Sequence, residues 1–210
     1  MRPIVFDCDG VLVDSEQLAW SAWRRVLAQY GITLTQEDIA LLTGRTDRDA
    51  HLHFSGRGEL PDHAAFWAEL SEVTFRLFDQ HLLAFEDAAD TLDALQSRGA
   101  SMAVASSSPR DRLDRSLAAT GLQKYFEFTV GGDEVPLGKP APDLFLAAAT
   151  GLAVQPETCF AVEDAPAGIR AARAAGMTVV AVERGHYSLE DLRTADLVVP
   201  RLTPAPFLGS

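Results

Sequence analysis

Four short segments of the sequence carry side chains that could do chemistry. They are FDCDG with Asp7 and Asp9, VASSS with Ser106, LGKPAPD with Lys139, and AVEDAPAG with Glu163 and Asp164. Two carboxylates about 4 Å apart repel by roughly 4 kcal/mol at an effective dielectric constant of about 20, so clustered acids need a cation or protons. Ligands that are all oxygen favour a hard divalent ion, and Mg2+ in particular combines one or two carboxylates with phosphate oxygens. The residue types therefore predict a Mg2+ site where a hydroxyl and an ammonium group also bind a phosphoryl group.

Each of these segments follows, or lies just beyond, an apolar run with the composition of a buried strand. The first run is PIVFD, and from residue 100 onward SMAVAS, FEFTVGG, CFAVED, TVVAVE and DLVVP alternate with helical patterns. Such alternation predicts a Rossmann-like, doubly wound α/β fold with a parallel sheet. Because the carboxyl ends of parallel strands meet at one edge, the four segments should converge on one crevice.

Residues 15–83 have a different character, with apolar residues at helical spacing. Helices are predicted up to Gly44 and from His63 to Leu83, on either side of the polar loop HFSGRGELPDH. We therefore expect residues 15–83 to form an all-α cap inserted into a core domain made of residues 1–14 and 84–210.

The composition limits the partners of the protein. Acidic residues outnumber basic ones by 30 to 18, for a net charge of −12, whereas binding to a nucleic-acid backbone needs a basic surface. No run of about eighteen apolar residues suggests a membrane span, and no secretory signal precedes PIVFD. The sequence therefore predicts a cytoplasmic protein with neither nucleic-acid nor membrane partners. Cys8 and Cys159 lie within strand patterns and are expected to be reduced core thiols.

The same four segments resemble the motifs of the haloacid dehalogenase superfamily of phosphatases. DCDGVLVDS, from Asp7 to Ser15, matches the first motif, and Ser106, Lys139 and the pair Glu163 and Asp164 match the second, third and fourth in order and spacing. The resemblance covers nearly the whole chain and is greatest to the branch with an α-helical cap that includes β-phosphoglucomutase and phosphoglycolate phosphatase. It implies a monomeric, Mg2+-dependent phosphomonoester hydrolase. The substrate would be a small phosphorylated metabolite, such as a sugar phosphate, and the intermediate an aspartyl-phosphate.

The resemblance also implies roles for the acidic residues. Asp7 would be the nucleophile and a metal ligand, and Asp9 the general acid and base, with its main-chain carbonyl on the metal. Asp164 would be a metal ligand, and Glu163 a direct or water-mediated one. Asp9 must be protonated to donate to the leaving alkoxide and then ionised to activate water, so the two aspartates need different surroundings.

Binding of the phosphoryl oxygens would fall to Ser106 and Lys139, with Ser107 nearby. Ser107 could equally well be the start of the following helix. In the cap, Arg45 would recognise an anionic part of the substrate, although a solvated loop arginine is an equal alternative. Asp14 could orient the cap or could simply be an acid at the amino terminus of a helix, where the helix dipole favours it.

Two other functions are compatible with many of the same residues. A β-phosphoglucomutase returns the phosphoryl group to a sugar, but Ala19 stands where that enzyme has a histidine, and Asp47 where its cap loop has an arginine. A phosphoacceptor signalling module also combines strand-end aspartates with a hydroxyl and a lysine. Such a module is much shorter, lacks an inserted cap and does not carry its phosphorylated aspartate on its first strand. These differences favour hydrolysis.

Overall fold

The computed structural model describes residues 1–42 and 47–208. The chain forms two compact units, one made of Met1–Asp14 with Leu83–Ser210 and the other of Ser15–Leu82. Among the described residues, we find no helix with the length and apolar character needed to cross a membrane.

The bounds of the helices and strands follow the chain from its amino terminus. The helices are α1 Glu16–Gln29, α2 Gln36–Leu42, α3 Asp47–Ser55, α4 His63–His81, α5 Glu86–Gln96, α6 Arg110–Thr120, α7 Asp143–Gly151, α8 Pro166–Ala174 and α9 Leu189–Leu192. The strands are β1 Ile4–Phe6, β2 Met102–Ala105, β3 Phe128–Val130, β4 Phe160–Glu163, β5 Thr178–Val182 and β6 Leu197–Val199.

Six strands in the described part of the chain form one sheet in the order β3-β2-β1-β4-β5-β6, and each neighbouring pair is parallel. The predicted Rossmann-like, doubly wound fold is confirmed. Strand β1 is central, since Phe6 pairs with Val104 of β2 on one side and with Val162 of β4 on the other. The strand order reverses beside β1, and in such sheets the crevice at the carboxyl ends of the strands is the usual ligand site.

Small side chains on the helices pack against this sheet. Helix α7 buries Ala148 and Ala149, and helix α8 buries Ala171 and Ala172, in the same apolar cluster as the strands. Alanine lets a helix approach the sheet closely while the apolar area removed from water stabilises the contact. Both cysteines are free and buried, as expected for thiols that pack in the core.

The unit Ser15–Leu82 is helical and has its own aromatic core. The ring of Trp23 lies 5.8 Å from that of Phe54 and 5.2 Å from that of Phe66, measured between ring centroids. Because Phe54 is buried in this core, helix α3 extends to Ser55, and the predicted start of the polar loop HFSGRGELPDH is wrong. The predicted helix from His63 ends at His81, since the next residue is already extended.

The two places where the chain leaves and re-enters the larger unit pair with each other. Val13 and Ala84 form an antiparallel bridge. The amide of Asp14 donates to the carbonyl oxygen of Leu83 at 3.1 Å. Asp14 itself is exposed and directly precedes Ser15, the N-cap residue of α1. Its role in orienting the cap stays a prediction.

Candidate active site

The segment after β1 folds into a tight turn that positions the first two acids. The amide of Asp7 donates to the carbonyl oxygen of Val162 at 2.9 Å, so pairing with β4 continues one residue beyond β1. The amide of Val13 then donates to the carbonyl oxygen of Cys8 at 3.1 Å and closes the turn. Asp9 forms an isolated bridge with Val13 inside this turn. Asp7 is thus fixed by the sheet and Asp9 by the turn.

The residue between the two aspartates belongs to the core. The Cys8 side chain is fully buried. Burial raises the pKa of its thiol well above the usual value, and the charges of Asp9 and Asp7 raise it further. A thiol that stays protonated is a poor nucleophile, so Cys8 contributes packing to the site.

Lys139 places an ammonium group between two acids from different strands. Its Nζ donates to Oδ1 of Asp7 and, at 2.7 Å, to Oε1 of Glu163. The Lys139 side chain is only 6% exposed. Burial lowers the pKa of Lys139, but the charges of Asp7 and Glu163 outweigh that effect, so the pKa is raised and the ammonium stays charged. The lysine therefore provides a fixed positive charge at the carboxyl ends of β1 and β4.

Glu163 is held at the end of β4 by the backbone that follows it. Its Oε2 accepts hydrogen bonds from the amides of Asp164 at 3.0 Å and Ala165 at 3.2 Å. A Cβ on Gly168, in the first turn of α8, would lie 1.6 Å from Oε1 of Glu163. The glycine in VEDAPAG is therefore needed for the carboxylate to fit beneath the helix.

Asp7, Glu163 and Asp164 form a compact acidic cluster. One carboxylate oxygen of each lies within 4.8 Å of the others, and all three residues are buried. Burial raises the pKa of Asp7 to about 7 even though Lys139 lowers it, and the charges of Glu163 and Asp9 add to the rise. Burial also raises the pKa of Asp164, followed by the charges of Glu163 and Asp7. The ammonium of Lys139 cannot by itself neutralise three carboxylates, and a set of oxygen donors with this spacing fits a hard divalent cation such as Mg2+.

The residues after β2 contribute hydroxyl groups to the same edge of the sheet. Ser106 is buried, and its amide donates to the carbonyl oxygen of Val130 at 3.0 Å. Its Oγ accepts a hydrogen bond from the amide of Ser108 at 3.0 Å. Ser107, between them, is exposed. The structure therefore brings Ser106 and Ser108 into one hydrogen-bonded loop and leaves the side chain of Ser107 outside it.

Asp9 contacts two residues that the sequence did not identify. Oδ2 of Asp9 accepts a hydrogen bond from Oγ of Ser108 at 2.8 Å. Oδ1 lies 3.5 Å from Nη2 of Arg112, in the first turn of α6. Ser108 is the last serine of VASSS, and Arg112 lies in the helical pattern RDRLDRS. Apart from the residue type, no feature of the sequence marks either position as part of the site.

A second arginine that sequence reasoning missed anchors the turn after β1. Arg184, just beyond β5, donates to the carbonyl oxygens of Gly10 at 3.2 Å and Val11 at 3.0 Å. It also makes two hydrogen bonds of 2.9 Å to the carboxylate of Asp87, at the start of α5. Its guanidinium carbon lies 3.9 Å from the centroid of the Phe85 ring. Arg184 thus connects the turn that carries Asp9 to the start of α5.

Apart from Ser107, whose side chain is exposed, the predicted site residues divide into three groups. Asp7, Lys139, Glu163 and Asp164 are in direct contact or within one cluster. Asp9 and Ser106 are connected to each other through Ser108. Arg45 lies outside the described residues.

Comparisons with known proteins cover nearly the whole chain. A profile of the haloacid dehalogenase-like hydrolases matches residues 4–182. The phosphorylated carbohydrates phosphatase of Thermotoga maritima is 34% identical over 179 residues, which cover 84% of this chain and 82% of that protein. The fructose-1-phosphate phosphatase of Escherichia coli is 37% identical over 183 residues, which cover 85% of this chain and 95% of that protein. A crystal structure of β-phosphoglucomutase from Clostridium difficile is similar with a TM-score of 0.80 and 26% identity, over 98% of this chain and 92% of that one.

Proposed function

This chain belongs to the haloacid dehalogenase-like hydrolases, and we propose that it is a Mg2+-dependent phosphatase of sugar phosphates that works through an aspartyl-phosphate. Its relationship to named phosphatases makes it a phosphoric monoester hydrolase. The proposed Mg2+ dependence and the proposed aspartyl-phosphate rest on one observation. Asp7, Glu163 and Asp164 form a cluster beside the ammonium of Lys139. The substrate class rests on the two relatives, whose names specify phosphorylated carbohydrates and fructose 1-phosphate.

In the first half of the proposed reaction, a carboxylate oxygen of Asp7 attacks phosphorus. A bond forms between that oxygen and phosphorus while the bond from phosphorus to the leaving oxygen of the sugar breaks. Asp9 gives its proton to the leaving oxygen, so that a neutral alcohol departs. Asp7 suits the role of nucleophile because the sheet fixes its backbone and Lys139 holds its Oδ1.

In the second half, water attacks the phosphorus of the aspartyl-phosphate. Asp9, now ionised, takes a proton from that water, and the bond between Asp7 and phosphorus breaks to release inorganic phosphate. Both aspartates then return to their starting states. One carboxyl group can serve both halves because it is left ionised by the first and protonated by the second.

The phosphoryl oxygens need donors, and two described side chains can supply them. Lys139 offers its ammonium group, and Ser106 offers its hydroxyl. The Oγ of Ser106 accepts from the amide of Ser108, which leaves the hydroxyl proton of Ser106 to be donated elsewhere. We propose a smaller contribution from Ser107, through its backbone amide, because its side chain is exposed.

Asp7, Glu163 and Asp164 are the residues that would hold Mg2+, together with the main-chain carbonyl of Asp9. When bound, the ion supplies positive charge for the phosphoryl oxygens and for the carboxylates themselves. Lys139 contacts two of the three acids and would keep them oriented.

A panel of phosphate esters tests this function. Purified protein is assayed for release of inorganic phosphate from hexose and pentose phosphates, phosphoglycolate and nucleotides, with Mg2+ and with an excess of chelator. We expect hydrolysis of sugar phosphates in Mg2+ and none with the chelator. Equal rates under the two conditions would exclude the metal, and release from nucleotides alone would exclude the sugar-phosphate assignment.

Mutase activity is a second candidate because the β-phosphoglucomutase of Clostridium difficile is structurally similar to nearly the whole chain. The same aspartyl-phosphate would then pass its phosphoryl group to a sugar hydroxyl instead of water. Incubation with β-glucose 1-phosphate separates the two activities. A phosphatase releases glucose and phosphate, whereas a mutase yields glucose 6-phosphate without net release of phosphate.

A further inference from the structure

The carboxylate of Asp9 has a partner on each of its two oxygens. Oγ of Ser108 donates to Oδ2 at 2.8 Å, and Nη2 of Arg112 lies 3.5 Å from Oδ1. Both partners belong to the chain between β2 and the first turn of α6, whereas Asp9 follows β1. The Asp9 side chain is 29% exposed, so water is able to reach it.

Ser108 is itself held by the neighbouring strand ends. Its amide donates to Oγ of Ser106 at 3.0 Å, and its carbonyl oxygen accepts from the amide of Gly132 at 2.8 Å. A Cβ on Gly132 would lie 2.3 Å from the carbonyl oxygen of Ser107, so glycine lets the segment after β3 lie directly against this loop. The backbone of Ser108 is therefore held by the segments that follow β2 and β3.

We infer that Ser108 is a positioning residue that orients the carboxyl of Asp9 for proton transfer, with Arg112 limiting its rotation from the other side. The inference rests on the proposed role of Asp9 as general acid and base. Ser108 also binds Ser106, which is proposed to hold the phosphoryl group. One residue thus sets the placement of the proton donor relative to the phosphoryl-binding hydroxyl. Proton transfer requires such placement, because a misplacement of about 1 Å can slow a reaction by about a hundredfold.

The way in which kcat/KM of the Ser108 variant depends on the leaving group distinguishes this role from substrate binding or simple packing. Phenyl phosphate needs a proton on its leaving oxygen, whereas 2,4-dinitrophenyl phosphate expels a stable phenolate without one. For each, kcat/KM reports the steps up to release of the phenol. We expect Ser108→Ala to lose about ten- to a hundredfold in kcat/KM with phenyl phosphate, a part of what general acid catalysis contributes, and to change little with the dinitrophenyl ester.

Two further variants keep the test decisive. Ser108→Thr retains the hydroxyl and should recover most of the activity with phenyl phosphate. Arg112→Gln leaves the Ser108 loop intact. Its loss in kcat/KM should be smaller than that of Ser108→Ala, and it should again be larger with phenyl phosphate than with the dinitrophenyl ester. Ser97→Ala serves as the matched control, because the hydroxyl of Ser97 bonds to the carbonyl oxygen of Ala94 at the end of α5. It should match the wild type with both esters.

Asp9→Asn, measured on the same two esters, separates this inference from the function on which it rests. If Asp9→Asn loses equally with both esters, the acid role of Asp9 fails and the proposed mechanism with it. Asp9→Asn could instead lose more kcat/KM with phenyl phosphate than with the dinitrophenyl ester, while Ser108→Ala loses equally with both. That result would overturn the positioning role alone. Failure of Ser108→Thr to recover activity would likewise overturn it.

Discussion

Gly10 and Asp164 lie in direct contact, although they come from the ends of different strands. A Cβ on Gly10 would stand 2.2 Å from Oδ2 of Asp164, and Gly10 has a φ of +83°. Glycine is therefore required at position 10 for two reasons. Its backbone conformation is one that other residues rarely adopt, and the carboxylate of Asp164 occupies the space of a Cβ.

Substitution of Gly10 should separate these two requirements. Gly10→Ala adds backbone strain of about 1–2 kcal/mol and also displaces the carboxylate of Asp164. Gly99→Ala is the matched control, because Gly99 has a φ of +71° with no atom near its Cβ position. Backbone strain should lower the free energy of unfolding of both variants by a similar amount, as measured by urea unfolding. Only Gly10→Ala should need more Mg2+ for half-maximal activity, and an unchanged Mg2+ requirement would show that Asp164 does not bind the metal.

Removal of the proposed nucleophile should stop turnover and leave the fold intact. Asp7→Asn is expected to lower kcat by at least about a thousandfold, in line with other nucleophile substitutions. Rapid acid quenching followed by mass spectrometry should find one added phosphoryl group on the wild type and none on the variant. A variant that keeps a few per cent of the activity, or that still becomes phosphorylated, would contradict the assignment of Asp7.

Mg2+ should stabilise the protein through the acidic cluster. An ion that binds the folded state and not the unfolded chain raises the unfolding midpoint with its concentration. We expect a midpoint that rises with Mg2+ for the wild type and stays nearly constant for Asp164→Asn, followed by calorimetry. Asp90→Asn, an exposed position on α5, is the control and should respond like the wild type. An equal response of Asp164→Asn would place the ion elsewhere.

The ion pair of Arg184 and Asp87 should contribute stability that depends on pH. Burial opposes ionisation of Asp87, but hydrogen bonds from Arg184 and the amide of Leu202 outweigh it and hold its pKa below the usual value. A carboxyl whose pKa is lowered by folding stabilises the protein above its unfolded pKa of about 3.9, and this contribution fades as the pH falls through the folded value.

Asp87→Asn should therefore cost about 3 kcal/mol at pH 7, as expected for a buried pair that loses one partner. The difference from the wild type should stay constant down to about pH 5 and shrink below about pH 4, measured by urea unfolding. Glu190→Gln breaks the exposed pair with Arg193 and should cost less than about 1 kcal/mol. A difference for Asp87→Asn that does not change in acid would mean that the pair is not the source of the stability.

The acids of the site could be predicted from the sequence because each follows an apolar run that forms a strand. Once the runs are strands of a parallel sheet, the placement of Asp7, Glu163 and Asp164 follows from the topology. The link from Ser108 to Asp9 spans 99 residues, and that from Arg184 to Asp87 spans 97. Such contacts depend on which strand lies beside which and on side-chain rotamers, and neither leaves a periodic signal in the sequence.

The antiparallel pairing at Val13 and Ala84 makes the inserted segment Ser15–Leu82 interchangeable in principle. The amide of Asp14 already bonds to the carbonyl oxygen of Leu83. If the segment between them were removed, these two residues would therefore lie as close as the ends of a β-hairpin. A turn of two to five residues, about the usual length of a hairpin loop, would suffice to join them. An insertion of another length would therefore meet the larger unit at the same two neighbouring residues, and the register of the sheet would not have to change.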